Sequence, residues 1–328
     1  MGVKRFSVIP WVWADSYEIL GTIAVDAPNY ITRRVSVLKR KKTYRERVPL
    51  EHLLMGFGLI KTALRNKVLP VLVFDGPPES LKREPNPELV IRAHEVYSEF
   101  SRESDPYNEK VSREILNSPA LRMYFAAEHL KDLARAMGVP TLTAPSEAEM
   151  LCATLCRGGL VKTVVSNDAD ALFFGSPHVT NHMELSRGRI CRATLQELED
   201  SLGLGLDQLR DLAVICGCDF HNDGIKGVGP HKGTILLKRY GSLEAVLRAK
   251  GYRPDEREPL LLAREVFEQT AYISVSGLDA SLRPPIVSKL VSLLLPCFGQ
   301  ERSEETADQI VRIWREFGRH QATLEQWT

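Results

Sequence analysis

No stretch of this chain holds the roughly 18 consecutive apolar residues that a membrane-spanning helix needs, and no basic-then-apolar leader opens it. Those absences argue against a membrane protein and against secretion. Cysteine is sparse, six in 328 residues, with no C-x-x-C pair and no zinc-like spacing to histidine. Cys152 and Cys156 stand four apart, as small buried thiols of one helix do, so a reducing compartment is expected. His178 and His182 are also four apart, but SPHVTNH reads as loop or strand rather than as a helical zinc pair. Net charge is almost absent, +1 from 43 basic and 42 acidic residues, and its sum points to no partner. Internal repeats and low-complexity tracts are missing too. What remains is an ordinary globular composition, long enough for one large domain with a sizeable core.

The charge that is present is unevenly placed. Arg33, Arg34, Lys39, Arg40, Lys41, Lys42, Arg45 and Arg47 face a single acid, Glu46, within fifteen residues. Such a run reads either as a solvated loop or as a phosphate-binding stripe, and nearby acids favour the stripe. Seven of those acids follow short apolar runs: Asp26 in TIAVDAPN, Asp75 in PVLVFDGPP, Glu147 and Glu149 in APSEAEM, Asp168 and Asp170 in TVVSNDADALFFG, and Asp219 in VICGCDF. An ionised acid is costly in a dry interior, and several at the carboxyl ends of strands point to one shared crevice. Gathered carboxylates repel unless hard cations neutralise them, and oxygen-only ligation suits Mg²⁺ or Mn²⁺.

Strand-like runs at 21–25, 70–74, 139–143 and 163–167 alternate with helical patterns, which predicts a mostly parallel sheet flanked by helices. Residues 76–137 are mainly helical and polar, with Asn86-Pro87 as a helix start, and read as a projecting arch or lid. After 195 the chain turns helical. The last helix, about 304–317, carries Ala307, Ile310, Val311, Trp314 and Phe317 on one face, and nothing past Gly318 is expected to fold by itself.

Each motif has two readings. Ser146 and Glu149 fit a capping box, while two acids in a first helical turn also fit a metal site. Asp168-Ala169-Asp170 fits an Asx-turn, though a second acid two residues on favours ligation. Gly227 and Gly229, flanked by Lys226 and Lys232, fit a plain turn between helices or a hairpin whose bare N–H groups reach a phosphate. Gln321, Leu324 and Trp327 form a terminal Q-x-x-L-x-x-W, either a frayed tail or a peptide for a partner's groove.

Taken together, Met1-Gly2-Val3, Ile9-Pro10, AVDAPN, VFDGPP, APSEAE, SNDADALFFG, CGCDF, GIKGVG and the terminal QATLEQWT resemble the flap endonucleases of the structure-specific 5′-nuclease superfamily. The resemblance runs nearly end to end, and its tail is similar to the clamp-binding box of archaeal members. It implies a PIN-like α/β nuclease core with a helical arch and a helical C-terminal half containing a helix–turn–helix DNA-binding hairpin. The nuclease domain would cover 1–320, with an N-terminal region to 100, the arch about 78–137, the internal nuclease region about 138–260 and a helical cap to 318. Residues 321–328 would form the clamp-binding tail.

By the same resemblance Asp26, Asp75, Glu147, Glu149, Asp168, Asp170 and Asp219 hold two Mg²⁺ or Mn²⁺ ions. Lys82 and Arg92 contact the scissile phosphate, and Gly2 lies near the site. Arg33, Arg34, Arg40, Lys41 and Lys42 follow the DNA. Lys226, Gly227, Gly229 and Lys232 hold the duplex beside a monovalent cation. The implied activity is hydrolysis at the base of a 5′ DNA flap, with 5′→3′ exonuclease action, in replication and repair. The implied partners are flapped or junction DNA and a sliding clamp gripped by Gln321, Leu324 and Trp327; the implied protein is monomeric and, if archaeal, cytoplasmic, at the nucleoid. A superfamily exonuclease or junction resolvase, an RNase with a related acidic core, and a catalytically idle DNA or clamp adaptor are the alternatives. Thr32 stands where the family has a stacking tyrosine, residues 85–87 alter the Lys82–Arg92 spacing, and Thr328 replaces the last aromatic of the clamp box.

Overall fold

The computed structural model describes residues 8–38, 51–77, 87–102, 114–115, 117–269 and 273–325. In chain order its main elements are β1 (Val12–Asp15), β2 (Gly21–Asp26), α1 (Ala27–Leu38), α2 (Glu51–Arg65), β3 (Val68–Phe74), α3 (Pro87–Arg102), α4 (Pro119–Ala136), β4 (Thr141–Thr143), α5 (Ala148–Arg157) and β5 (Val164–Val165). Then come α6 (Asp170–Phe173), β6 (His178–Glu184), β7 (Arg189–Thr194), α7 (Leu195–Leu202), α8 (Leu206–Cys216), α9 (Pro230–Tyr240), α10 (Leu243–Ala249), α11 (Pro254–Val266), α12 (Val287–Phe298) and α13 (Gln300–Glu325). The chain forms two compact units, each assembled from separated segments.

The first unit takes in residues 1–26, 75–83 and 143–278. Its strands run in the order β1-β7-β6-β5-β2. β2, β5 and β6 pair in parallel, with Ala24 opposite Val164 and Val164 opposite Val179. β7 then turns back antiparallel on β6, and β1 antiparallel on β7. Ile23, Ala24 and Val25 are all buried, as expected of a strand covered on both faces. The expected α/β class holds, but β1, β6 and β7 lie outside the four expected strands. In β6, His178, Thr180, Asn181 and His182 dilute the apolar signal with polar residues. Helices α7 to α11 complete this unit, in line with the helical reading after 195.

The second unit takes in residues 27–74, 84–142 and 279–328. All seven residues of β3 are buried. Helices α2 and α4 approach closely because Gly56 has no side chain: a Cβ there would lie 2.3 Å from Leu130 Cδ1. Pro87 opens α3 as anticipated, and Ser118 Oγ caps α4 by accepting the Leu121 N–H at 3.3 Å. Ala307, Ile310 and Phe317 of α13 enter the core as expected, but Val311 and Trp314 stay partly exposed and Ile313 is buried in their place. The helix itself is longer than expected. It runs from Gln300 through Gly318 to Glu325, so the backbone of Gln321 and Leu324 is helical.

Candidate metal centre

Six of the seven acids reach one neighbourhood of the first unit from separate stretches of chain. Asp26 is the last residue of β2 and only 2% exposed. Ser166, just after β5, donates its hydroxyl to Asp26 Oδ2 at 2.9 Å, and Ser166 Oγ in turn accepts the Asp168 N–H at 3.1 Å. Asp75 follows β3. Beside it the chain passes so near residue 144 that a Cβ on Gly76 would sit 2.1 Å from the Ala144 carbonyl oxygen. The Gly76 N–H instead bonds Ser146 O at 2.6 Å, and Asp75 Oδ1 accepts the Ala148 N–H at 2.8 Å.

That last bond corrects the capping-box reading. Glu147, not Ser146, occupies the cap position of α5, and its side chain makes no cap bond. Ser146 Oγ is buried and finds no partner among the described residues. The free N–H at the start of α5 is taken by Asp75, 73 residues earlier. Glu149 sits in the first turn of α5 and Asp170 opens α6, 3% exposed. The Asp168 N–H is held by Ser166 Oγ, and the Asp168 carboxyl itself is bonded by the Ala169 backbone and by Asp170, so local turn bonding and a shared acidic site coexist here. Asp219 departs from the strand-end pattern: it follows α8, where Gly217 and Gly224 pack closely enough that a Cβ on Gly224 would lie 2.5 Å from the Gly217 nitrogen.

The electrostatics tie these groups together. Glu149 is half-exposed as a residue, yet its carboxyl is withdrawn from water, and this desolvation pushes its pKa well above the carboxylate range. Asp26, Asp170 and Asp168 push it further, and a hydrogen bond joins it to Asp26. Asp168 is raised by desolvation and by Asp219, against a lowering bond with Asp170. Cys152 is raised by burial first and then by Asp26, Glu149 and Asp75. Cys218 is pushed up to about 11 by burial, with Asp170 and Asp219 adding to it. Thus Asp26, Asp75, Glu149, Asp168, Asp170 and Asp219 share one field. Glu147 stands beside them at the cap position of α5. Among the described residues, no three Asp, Glu, His or Cys side chains close into a ready cage for an ion.

The other expected contact residues are spread over the chain. Arg92, in α3 of the second unit, bonds Glu114 twice at 2.6 Å, Glu95 at 3.0 Å and Glu99 at 3.4 Å. Lys226, Gly227, Gly229 and Lys232 lie on the turn between α8 and α9 and at the start of α9, all exposed, giving the expected helix–turn–helix. Gly2, Arg40, Lys41, Lys42, Lys82 and Trp327 lie outside the described residues; Arg33, Arg34, Gln321 and Leu324 are described as helical backbone only. Thr32 is exposed, and Tyr30, the nearest aromatic, donates its hydroxyl to Met55 O at 2.9 Å. Sequence reasoning missed Ser166, whose only sign was its place just before the N-D-A-D run.

The XPG I-region family matches residues 138–219, which contain five of the seven acids. Flap endonuclease 1 of Naegleria gruberi is 34% identical over 208 residues, 61% of this chain and 53% of that protein. The chain thus spans about half the length of that relative. Flap endonuclease 1-A of Sorghum bicolor is 31% identical over 270 residues, covering 79% of this chain and 70% of its own length. Among solved structures, flap endonuclease-1 from Methanococcus jannaschii has the same fold, with a TM-score of 0.72 at 24% identity over 96% of this chain and 99% of that one. Through these relatives, this chain belongs to the flap endonuclease family.

Proposed function

We propose that the protein is a divalent-metal-dependent, structure-specific nuclease that cuts a phosphodiester at the base of a 5′ DNA flap. One observation carries the reading: six carboxylates from distant segments share one field, and desolvation plus mutual repulsion raise Glu149 and Asp168. An all-oxygen acidic donor set suits hard cations, and a dication reverses the local pKa logic that makes the set unfavourable by itself. Asp26, Asp75, Glu147, Glu149, Asp168, Asp170 and Asp219 would hold two Mg²⁺ or Mn²⁺. When bound, such ions supply Lewis-acid polarisation of the phosphate and activation of the attacking water.

The remaining roles belong to the chain. Ser166 keeps Asp26 oriented and ties it to the Asp168 backbone. Lys82 and Arg92 neutralise charge growing on the phosphate; for this Arg92 exchanges Glu114 for a phosphate oxygen. The bare turn at Gly227 and Gly229, with Lys226 and Lys232, follows the duplex, with a monovalent cation beside it. Arg33, Arg34, Arg40, Lys41 and Lys42 track phosphates, and Gln321, Leu324 and Trp327 dock a monomeric enzyme on a sliding clamp. Replication and repair are the setting; no helix among the described residues is long and apolar enough to cross a membrane.

Cleavage of end-labelled 5′-flap, nicked, gapped, four-way and single-stranded DNA in parallel tests the reading. Mg²⁺-dependent cutting near the flap junction, lost on Asp168→Asn, is expected. Equal cutting of all substrates, or none with Mg²⁺ and Mn²⁺, overturns it.

A further inference from the structure

Helix α6 is a single turn, yet it carries Asp170. One turn of helix has no independent stability, so packing must fix where that carboxylate stands. Asp219 has the same difficulty, lying in a loop beyond α8 with Phe220 next to it. The two segments meet, for the rings of Phe174 at the end of α6 and of Phe220 beside Asp219 lie 6.3 Å apart, and two like charges brought near each other repel. Something must hold their segments together.

Phe267 does so geometrically. It follows α11 directly, its N–H bonds Arg264 O at 3.2 Å, and it is 0% exposed. Its ring centroid lies 6.4 Å from that of Phe173 and 5.0 Å from that of Phe174, the residues that end α6. On another side it meets the Phe220 ring edge-on at 5.6 Å. Phe174 and Phe220 also touch, at 6.3 Å. Edge-to-face and tilted pairs of this kind have directional preferences that an aliphatic side chain cannot reproduce. Arg210 Nε adds one polar tie, donating to Phe173 O at 3.1 Å, but reaches only the α6 side.

We infer that Phe267 is a positioning residue: by gathering Phe173, Phe174 and Phe220 on one ring it fixes the spacing of Asp170 and Asp219 as neighbouring ligands of a divalent ion. The inference rests on the metal reading above. Residues that orient metal ligands without touching the metal typically change affinity by about 10- to 100-fold when replaced.

The test is Mn²⁺ binding to the full chain, followed by the electron paramagnetic resonance signal of the free ion, with Mg²⁺ dependence of 5′-flap cleavage beside it. The variants are Phe267→Leu, Leu260→Ala and Asp219→Asn. Leu260 is buried on α11 outside the aromatic group and reports general destabilisation. Phe267→Leu should weaken Mn²⁺ binding by about 10-fold or more, and raise the half-saturating Mg²⁺ while much of the rate returns at saturation. Leu260→Ala should melt earlier but bind Mn²⁺ like the parent. If Asp219→Asn weakens Mn²⁺ binding and Phe267→Leu does not, or matches Leu260→Ala, the inference falls alone. If Asp219→Asn leaves Mn²⁺ binding intact, the metal reading falls and the inference with it. Should Phe267→Leu fail to fold, Phe267→Met, whose thioether keeps a ring contact, is read against the same outcomes.

Discussion

Ser166 and Asp26 are 140 residues apart in sequence and 2.9 Å apart in space, hydroxyl to carboxylate. Because the serine oxygen also accepts the Asp168 N–H, one side chain orients an acid of β2 against the backbone that carries two others. Ser166→Ala removes both bonds inside a buried site. A buried polar group that loses its partner typically destabilises by about 1–3 kcal/mol, so urea unfolding should shift by that much. The Mg²⁺ needed for half-maximal cleavage should rise as well. Unchanged stability and metal dependence would reduce the serine to a filler.

Asp168→Asn should separate stability from function. Asp168 is one of the charges that press on Glu149, so its neutralisation relieves repulsion in the metal-free chain. Melting should therefore stay the same or rise while Mg²⁺-dependent cleavage disappears and DNA binding persists. This is the stability–activity trade-off expected of a strained polar site. Parental turnover in Asp168→Asn would end the assignment of this residue to the metals.

Apolar runs made β2 and β3 legible, and acids following them pointed to the site before any fold was known. What was not legible depended on distance. Ser146 and Glu149 satisfy the local pattern of a capping box, but the Ala148 N–H is claimed by Asp75 from elsewhere in the chain. Gly318 looks like a helix stop by local propensity. Ala307, Ile310 and Phe317 anchor the same helix in the core, and packing outweighs the ~1 kcal/mol penalty of an interior glycine. Phe267 reads as one more core aromatic until its three neighbours are seen.

His129 predicts a pH dependence of stability unrelated to the acids. It is buried in the second unit, its Nδ1 3.1 Å from His52 Nε2. Burial first, then Lys289, lowers its pKa from 6.5 to about 3. The unfolded chain therefore binds a proton below about 6.5 that the folded chain refuses until about 3. Its contribution is intact above the unfolded value and is lost as pH falls through that window. Between pH 7 and pH 5 this amounts to roughly 2 kcal/mol, at about 1.4 kcal/mol for each pH unit below the unfolded value. Urea unfolding at the two pH values, in the parent and in His129→Gln, isolates it; equal slopes would remove the histidine from the account.

Arg92 should matter to cleavage more than to stability. Its ion pairs to Glu95, Glu99 and Glu114 lie in partly exposed surroundings, where water screens them. Arg92→Ala should leave thermal unfolding almost unchanged and slow single-turnover cleavage of a 5′ flap. Glu114→Gln should do neither harm, since it loosens the hold on the guanidinium. Parental single-turnover rates in Arg92→Ala would leave the arginine as a brace for α3 alone.

Gly229 allows the helix–turn–helix to be tested with opposite signs in two measurements. It caps α9 with φ −100° and ψ −175°, a backbone that any residue can adopt, and a Cβ there would meet nothing within 4 Å. Glycine is thus required neither by strain nor by packing. Serine caps helices slightly better, so Gly229→Ser should raise stability by a few tenths of a kcal/mol. If the bare backbone serves close approach of a phosphate, the same side chain stands in the way, and DNA affinity should fall. Because the substitution removes no positive charge, the slope of log affinity against log salt should stay nearly constant while affinity falls at every salt concentration. A plain interhelical turn predicts the stability gain with unchanged DNA binding, so salt-dependent affinity of the Gly229→Ser chain for a nicked duplex separates the two. Gly227 cannot serve instead: its φ of +74° would strain any side chain, and a loss of binding there would not distinguish backbone distortion from a blocked phosphate.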